Sequence, residues 1–208
     1  NNAWLTDHSG IFDEMGVDDS YYETPDNYAF YYQAFFTEQA DALDALAQGI
    51  ESYWSRASDE DSRVHAFLAV IGVLDNLREY LSGDPYAAEQ MLEASFQSGK
   101  AIQLTRTTAA HAMSYMLTKR FGLAHGHACM LTLPVLWEMM LSHEEMRETL
   151  TELSLKMRLG DNRIAPRLLK GILYDLEMEI PPVPDEQTLN ELADSVNTER
   201  LNNHPVSL

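Results

Sequence analysis

Cysteine occurs once in the 208 residues, as Cys129, so no internal disulfide can form and a disulfide-stapled secreted scaffold is excluded. Basic residues are scarce: 14 Lys and Arg stand against 33 Asp and Glu, a formal net charge of -19. A surface of that sign repels phosphate backbones, which argues against nucleic acid as a partner. Long apolar runs are missing too. None approaches the roughly 18 residues that a membrane-crossing helix requires, so no membrane partner is expected. The stretch NNAWLTDHSGIFDE lacks both the basic and the apolar region of a secretory signal, and a cytoplasmic location is the expectation. With only 10 Gly and 8 Pro against 45% apolar residues, disorder and a collagen-like chain are excluded as well. What remains is an acidic globular chain, long enough for one sizeable core or two small ones.

The charge is uneven. Arg56 is the first basic residue, and residues 1–55 carry eleven acids. Five of the ten tyrosines fall in SYYETPDNYAFYYQAFF (20–36), dense enough to pack against something, whereas residues 1–19 read as loop or a loosely attached arm. From about residue 38 the period becomes helical. Leu43, Leu46, Ile50 and Trp54 recur at spacings of three and four. A second helix follows, with Ser58 able to cap its start, a stripe of Val64, Phe67, Leu68, Ile71, Leu74 and Leu77, and Gly83 past its end. A third runs from Asp84-Pro85 to about Leu104, with Met91, Ala94 and Ser95 on one side. A fourth, TTAAHAMSYMLTKRFG, stops at Gly122, and a fifth, HGHACMLTLPVLWEMML, is apolar enough to cross the core. Shorter helices are expected over about 143–158, 162–178 and 185–195. No alternating run suggests a strand, so the fold class is all-α.

Several residues invite chemistry. Asp44 and Gln48 lie four apart and project from neighbouring turns of one helix face. His111 and His125 are fourteen apart, about 21 Å along an unbroken helix, too far for one metal ion. A reversal of the chain at Gly122 would bring them face to face. Histidine with aspartate suits a divalent first-row metal such as Fe²⁺ or Zn²⁺. On spacing alone, the ordinary reading of either histidine is a hydrogen-bonded side chain without a metal, and that of Asp44 a solvated acid on a helix face. Met113, Met116, Met130, Met139 and Met140 read as core filler, and Cys129 as an inert buried thiol.

ALDALAQGIES (42–52) is similar to the segment Gly-x-Asp-Ala-x-x-His-x-x-Glu that opens the helical domain of the iron-containing alcohol dehydrogenases. GKAIQLTRTTAAHAMSYMLTKRFGLAHGHACMLTLP (99–134) resembles that family's second signature, and ERLNNHPVSL (199–208) resembles its closing Asn-Asn-Pro segment with a residue inserted. A basic residue, two threonines and a histidine in series before HGHA make the phosphonoacetaldehyde reductase-like branch the nearest likeness. The resemblance covers roughly 37–208. It implies a multi-helix domain like the family's C-terminal, dehydroquinate synthase-like α-domain.

It also implies a divalent metal, Fe²⁺ ahead of Zn²⁺, at positions matching Asp44, His111 and His125, with Gln48 where most of the family has its remaining histidine. The implied reaction is reduction of a small aldehyde, or oxidation of the alcohol, by an NAD(P) cofactor with the metal as Lewis acid. Arg106, with Thr107 and Thr108, would clamp the anion of a phosphonate-bearing aldehyde such as phosphonoacetaldehyde; otherwise Arg106 is a surface arginine paired with the acidic background. Tyr115 stands where relatives carry a histidine near the nicotinamide, and His127 either approaches substrate or supports the core.

The glycines form no phosphate-cradling loop after a strand, so no cofactor-binding residue is assigned. The expected organisation is therefore an acidic, Tyr-rich segment over 1–36 without family match, a helical metal-binding domain over 37–208, and no nucleotide-binding α/β domain. Hydride transfer needs the cofactor against the carbonyl. These residues by themselves are thus expected to be inactive, as the metal-binding half of a longer dehydrogenase. The alternative is a non-catalytic helical binding or structural protein derived from that domain. The face that a second domain would cover is expected to bury itself in a homodimer or higher oligomer.

Overall fold

The computed structural model describes the backbone of residues 25–208 and the side chains from Glu38 onward. The expectations of an arm over 1–19 and of packing by the aromatic side chains of 20–36 lie outside the described residues. Within them, every regular element is helical: α1 (Pro25–Trp54), α2 (Glu60–Leu81), α3 (Pro85–Thr105), α4 (Ala109–Phe121), α5 (His125–Met140), a 3₁₀ turn (Glu144–Met146), α6 (Arg147–Lys156), α7 (Ala165–Asp175), α8 (Glu186–Asp194) and α9 (Thr198–Asn202). The all-α expectation holds. The first helix begins earlier than its apolar period suggested, at Pro25, a residue whose fixed φ and missing amide suit a first helical turn.

α1 is the axis of the core. Leu43, Leu46, Ile50 and Trp54 are buried as their spacing predicts, but so are Ala42, Ala45, Ala47 and Tyr53. A helix apolar on nearly all sides must be surrounded, and α2, α3 and α5 pack around it. Two expectations for α2 need correction. Asp59, not Ser58, caps it, in a reciprocal capping box with Ser62. Its inward face is Ala66, Ala69, Val70, Val73 and Leu77, while Val64 and Leu68 point outward, 53% and 41% exposed. The physical reason is close approach: a Cβ on Gly49 of α1 would stand 2.9 Å from Val70 Cγ2 and 3.0 Å from the Ala66 carbonyl oxygen. Small residues, rather than the largest ones, therefore mark the contact face.

On α3, Met91 and Ala94 face inward as expected, but Ser98 joins them and Ser95 is exposed. α4 ends where Gly122 adopts a left-handed φ of 70°, which costs glycine nothing. α5 crosses the core, burying Cys129, Met130, Leu133, Leu136, Trp137 and Met140, with Trp137 edge-on to Trp54 at 5.5 Å. Met139, expected inside, points outward. The later helices are shorter than their patterns implied, and α9, which no pattern announced, packs with α8 against α4.

Candidate metal centre

Gly126 brings α5 down onto α1. A Cβ there would lie 1.9 Å from the Ala40 carbonyl oxygen and 2.6 Å from the Asp44 amide nitrogen, so the first turn of α5 touches the α1 backbone at Asp44. His125, the first residue of α5, is thereby placed beside Asp44, and His111 reaches the same point from the first turn of α4. His111 Nε2 is 3.3 Å from Asp44 Oδ1, His125 Nε2 is 3.7 Å from the same oxygen, and the two imidazole centroids are 5.2 Å apart. The reversal at Gly122 has removed the separation that an unbroken helix would impose. Cys129, one turn beyond His125, adds its sulfur 3.9 Å from His125 Nε2. One donor atom from each of Asp44, His111, His125 and Cys129 lies within 4.8 Å of all the others.

Gln48, expected beside these donors, is held by hydrogen bonds at both ends of its amide. Its amide nitrogen donates to Asp44 Oδ2 at 2.6 Å, and its oxygen faces the Ser98 hydroxyl at 2.9 Å, so the side chain steadies Asp44 from behind. Each histidine is steadied in the same way. His111 Nδ1 lies 2.5 Å from the fully buried carboxylate of Glu51, which also accepts from the Thr108 hydroxyl at 2.5 Å and the Ala110 amide at 2.7 Å. Ser114 spends its hydroxyl proton on the His111 carbonyl at 2.8 Å, so at 3.2 Å it accepts from His125 Nδ1. Both imidazoles thus turn Nε2 to the same point. His111 Nε2 and Asp44 Oδ1 are buried there and make no hydrogen bond, although they stand 3.3 Å apart. Two buried donor atoms facing one space without bonding each other fit a shared cation.

The electrostatics of the protein groups in the cluster follow from burial and neighbouring charge. Burial works against charge on His111, but Glu51 and Asp44 outweigh it and hold the imidazole up to about 12. Burial would likewise raise Glu51, yet His111, Thr108 and the Ala110 amide keep it below the ordinary carboxylate value. For His125, burial prevails over the pull of Asp44 and lowers its pKa. Burial pushes the Cys129 thiol up.

The residues assigned to substrate separate in the structure. Arg106 is exposed and pairs with Glu199 at 2.8 Å, the surface alternative of its two readings. Thr108 is fully buried and braces Glu51, accepting from Trp54 Nε1 at 3.1 Å. His127 is buried too, two residues from His125 and outside the donor group. Tyr115 does lie beside His125, ring centroids 5.3 Å apart, and is half exposed. Over its ring, at 5.0 Å, stands the guanidinium of Arg200, which also donates to Thr107 Oγ1 at 2.9 Å. Three residues of the site had escaped sequence reasoning. Glu51 matches the Glu of the pattern that ALDALAQGIES resembles, Cys129 reads from its apolar run as an inert thiol, and Arg200 lies in the closing segment ERLNNHPVSL, where the resemblance assigns it no role.

Residues 39–177 match the C-terminal domain of the Fe-containing alcohol dehydrogenase family. The chain belongs to that family. It is 44% identical over 93 residues to a phosphonoacetaldehyde reductase of Streptomyces viridochromogenes, an overlap of 44% of this chain and 24% of that protein. Its fold matches that of sulfoacetaldehyde reductase from Bifidobacterium kashiwanohense, solved with NAD⁺, at a TM-score of 0.77 and 25% identity over 83% of this chain and 47% of the other. An iron-containing alcohol dehydrogenase from Thermotoga maritima matches at a TM-score of 0.69 and 27% identity over 80% and 44%. The chain spans less than half the length of each of these relatives. Family membership implies a metal and NAD(P), and the donor cluster on α1, α4 and α5 is the group among the described residues that fits the metal.

Proposed function

We propose that this chain is the metal- and substrate-binding half of an NAD(P)-dependent aldehyde reductase of the iron-containing alcohol dehydrogenase family, acting on a small aldehyde that carries an anionic group such as a phosphonate. The convergence of Asp44, His111 and His125 on one buried point supports this reading. Those three residues would hold the divalent metal; the ion supplies Lewis-acid polarisation of a carbonyl oxygen, and a nicotinamide supplies hydride. The helices contribute positioning: Glu51 and Ser114 fix the two imidazoles by their far nitrogens, and Gln48 fixes the carboxylate.

The substrate's anion falls to Arg200 rather than Arg106. Arg200 is half-buried, has no carboxylate within salt-bridge distance among the described residues, and stands on the Tyr115 ring that adjoins His125. A planar guanidinium held by an aromatic face and by Thr107 is preorganised to take an oxyanion in a bidentate pair. The test is binding of methylphosphonate to the zinc-loaded chain, followed by ³¹P resonance. Arg200→Gln should weaken it roughly 10-fold to 100-fold, the loss of a charge-assisted hydrogen bond, while Arg106→Gln leaves it unchanged. Equal affinities for wild type and Arg200→Gln would remove the anion from this assignment.

A further inference from the structure

We infer that Cys129 completes the metal site as a thiolate ligand, taking the coordination position that Gln48 leaves open. The inference rests on the reading that Asp44, His111 and His125 hold a metal. His125 and Cys129 are four apart on α5, so both project from one face, the face that Gly126 lays against α1. The sulfur stands 3.9 Å from His125 Nε2 and within 4.8 Å of the other two donors. Metal–nitrogen and metal–oxygen bonds of about 2.1 Å and a metal–sulfur bond of about 2.3 Å set tetrahedral donors roughly 3.3–3.6 Å apart. The observed separations of 3.3, 3.7 and 3.9 Å are close to that arrangement.

Gln48 is committed to other partners. Its amide is engaged at both ends, by Asp44 Oδ2 and by Ser98, and a neutral amide oxygen is the weakest donor in the neighbourhood. Charge points the same way. A thiolate would set a second anionic donor beside Asp44 in direct contact with the dication, while the carboxylate of Glu51 reaches it only through His111. A thiolate also softens the donor set. It moves preference from Fe²⁺ toward Zn²⁺ and Co²⁺ and reverses the order that family resemblance alone suggests.

Cobalt reads this directly, because Cys129 is the chain's sole cysteine and any thiolate-to-cobalt charge-transfer band has one source. Titration of the metal-free full chain with Co²⁺ should give visible bands of tetrahedral cobalt together with that near-ultraviolet band. In Cys129→Ser the near-ultraviolet band should vanish and the affinity fall by about 10-fold or more, whereas Gln48→Ala should keep the band. Visible bands without the near-ultraviolet band in wild type would overturn the role of Cys129 and leave the three-residue metal reading standing. Absence of cobalt absorption altogether would overturn both. Should Cys129→Ser not fold, zinc-edge X-ray absorption of the wild-type chain gives the same answer: a sulfur scatterer at about 2.3 Å is expected, and a shell of nitrogen and oxygen alone refutes it.

Discussion

Behind the donor cluster, Thr108 links Glu51 on α1, Trp54 at the end of α1, and His204 beyond α9. His204 is fully buried, edge-on to Trp54, with Nε2 lacking a hydrogen-bond partner among the described residues. Burial, reinforced by the charge of Arg56 against the opposing pull of Glu51, drops its pKa from 6.5 to about 4. The unfolded chain therefore takes up this proton first, and protonation favours unfolding as pH falls from about 6.5 toward about 4. Denaturant melts across that window should show wild type losing stability more steeply than His204→Asn; parallel slopes would remove His204 as the cause. At this scale the sequence was informative where chemistry follows residue type. The pair His111 and His125, with Asp44, stood out as nitrogen and oxygen donors. Cys129 did not, because a lone thiol in an apolar run looks the same whether or not histidines surround it, and that depends on how α1, α4 and α5 meet.

Among the helices, the decisive contact is α5 on α1 at Gly126. Gly126→Ala would place a methyl carbon 1.9 Å from the Ala40 carbonyl oxygen, a backbone atom that cannot rotate away, so α5 must move off α1 and carry His125 and Cys129 with it. A loss of about 3 kcal/mol in stability is expected, at the upper end for overpacking, together with at least ~10-fold weaker zinc binding. Gly99→Ala on α3, where nothing lies within 4 Å, should instead be neutral or stabilising by up to about 1 kcal/mol. Equal behaviour of the two variants, in thermal melts and zinc titrations, would refute the close-approach argument. The helices themselves were legible from period, caps and the stop at Gly122. The contact face of α2 was not, since reading the largest apolar residues as inward misses a face built on Ala66, Ala69 and a facing glycine. Nor was α9: five residues carry no period, and its place is set by Asn203, which donates to the Thr105 and Thr107 carbonyl oxygens 98 and 96 positions away.

The molecule as a whole is strongly acidic, and 33 carboxylates on 208 residues offer many weak sites for any dication. Specific binding must therefore be separated from surface binding. A metal held by Asp44, His111, His125 and Cys129 ties α1, α4 and α5 together and stabilises only the folded chain, whereas loose carboxylate binding is screened by salt and persists on unfolding. At a free Zn²⁺ concentration 100 times the dissociation constant, linkage adds about 2.7 kcal/mol, or roughly 5–10 °C in Tm for a chain of this length. That rise should survive high salt, disappear on chelation, and be absent from His125→Ala, whose partly exposed imidazole can be removed without opening the core. If His125→Ala gains the same Tm with zinc as wild type, the ion sits among the surface acids and the cluster is no metal centre. A rise confined to wild type assigns the stabilisation to the junction of the three helices, where the fold brings its scattered donors together.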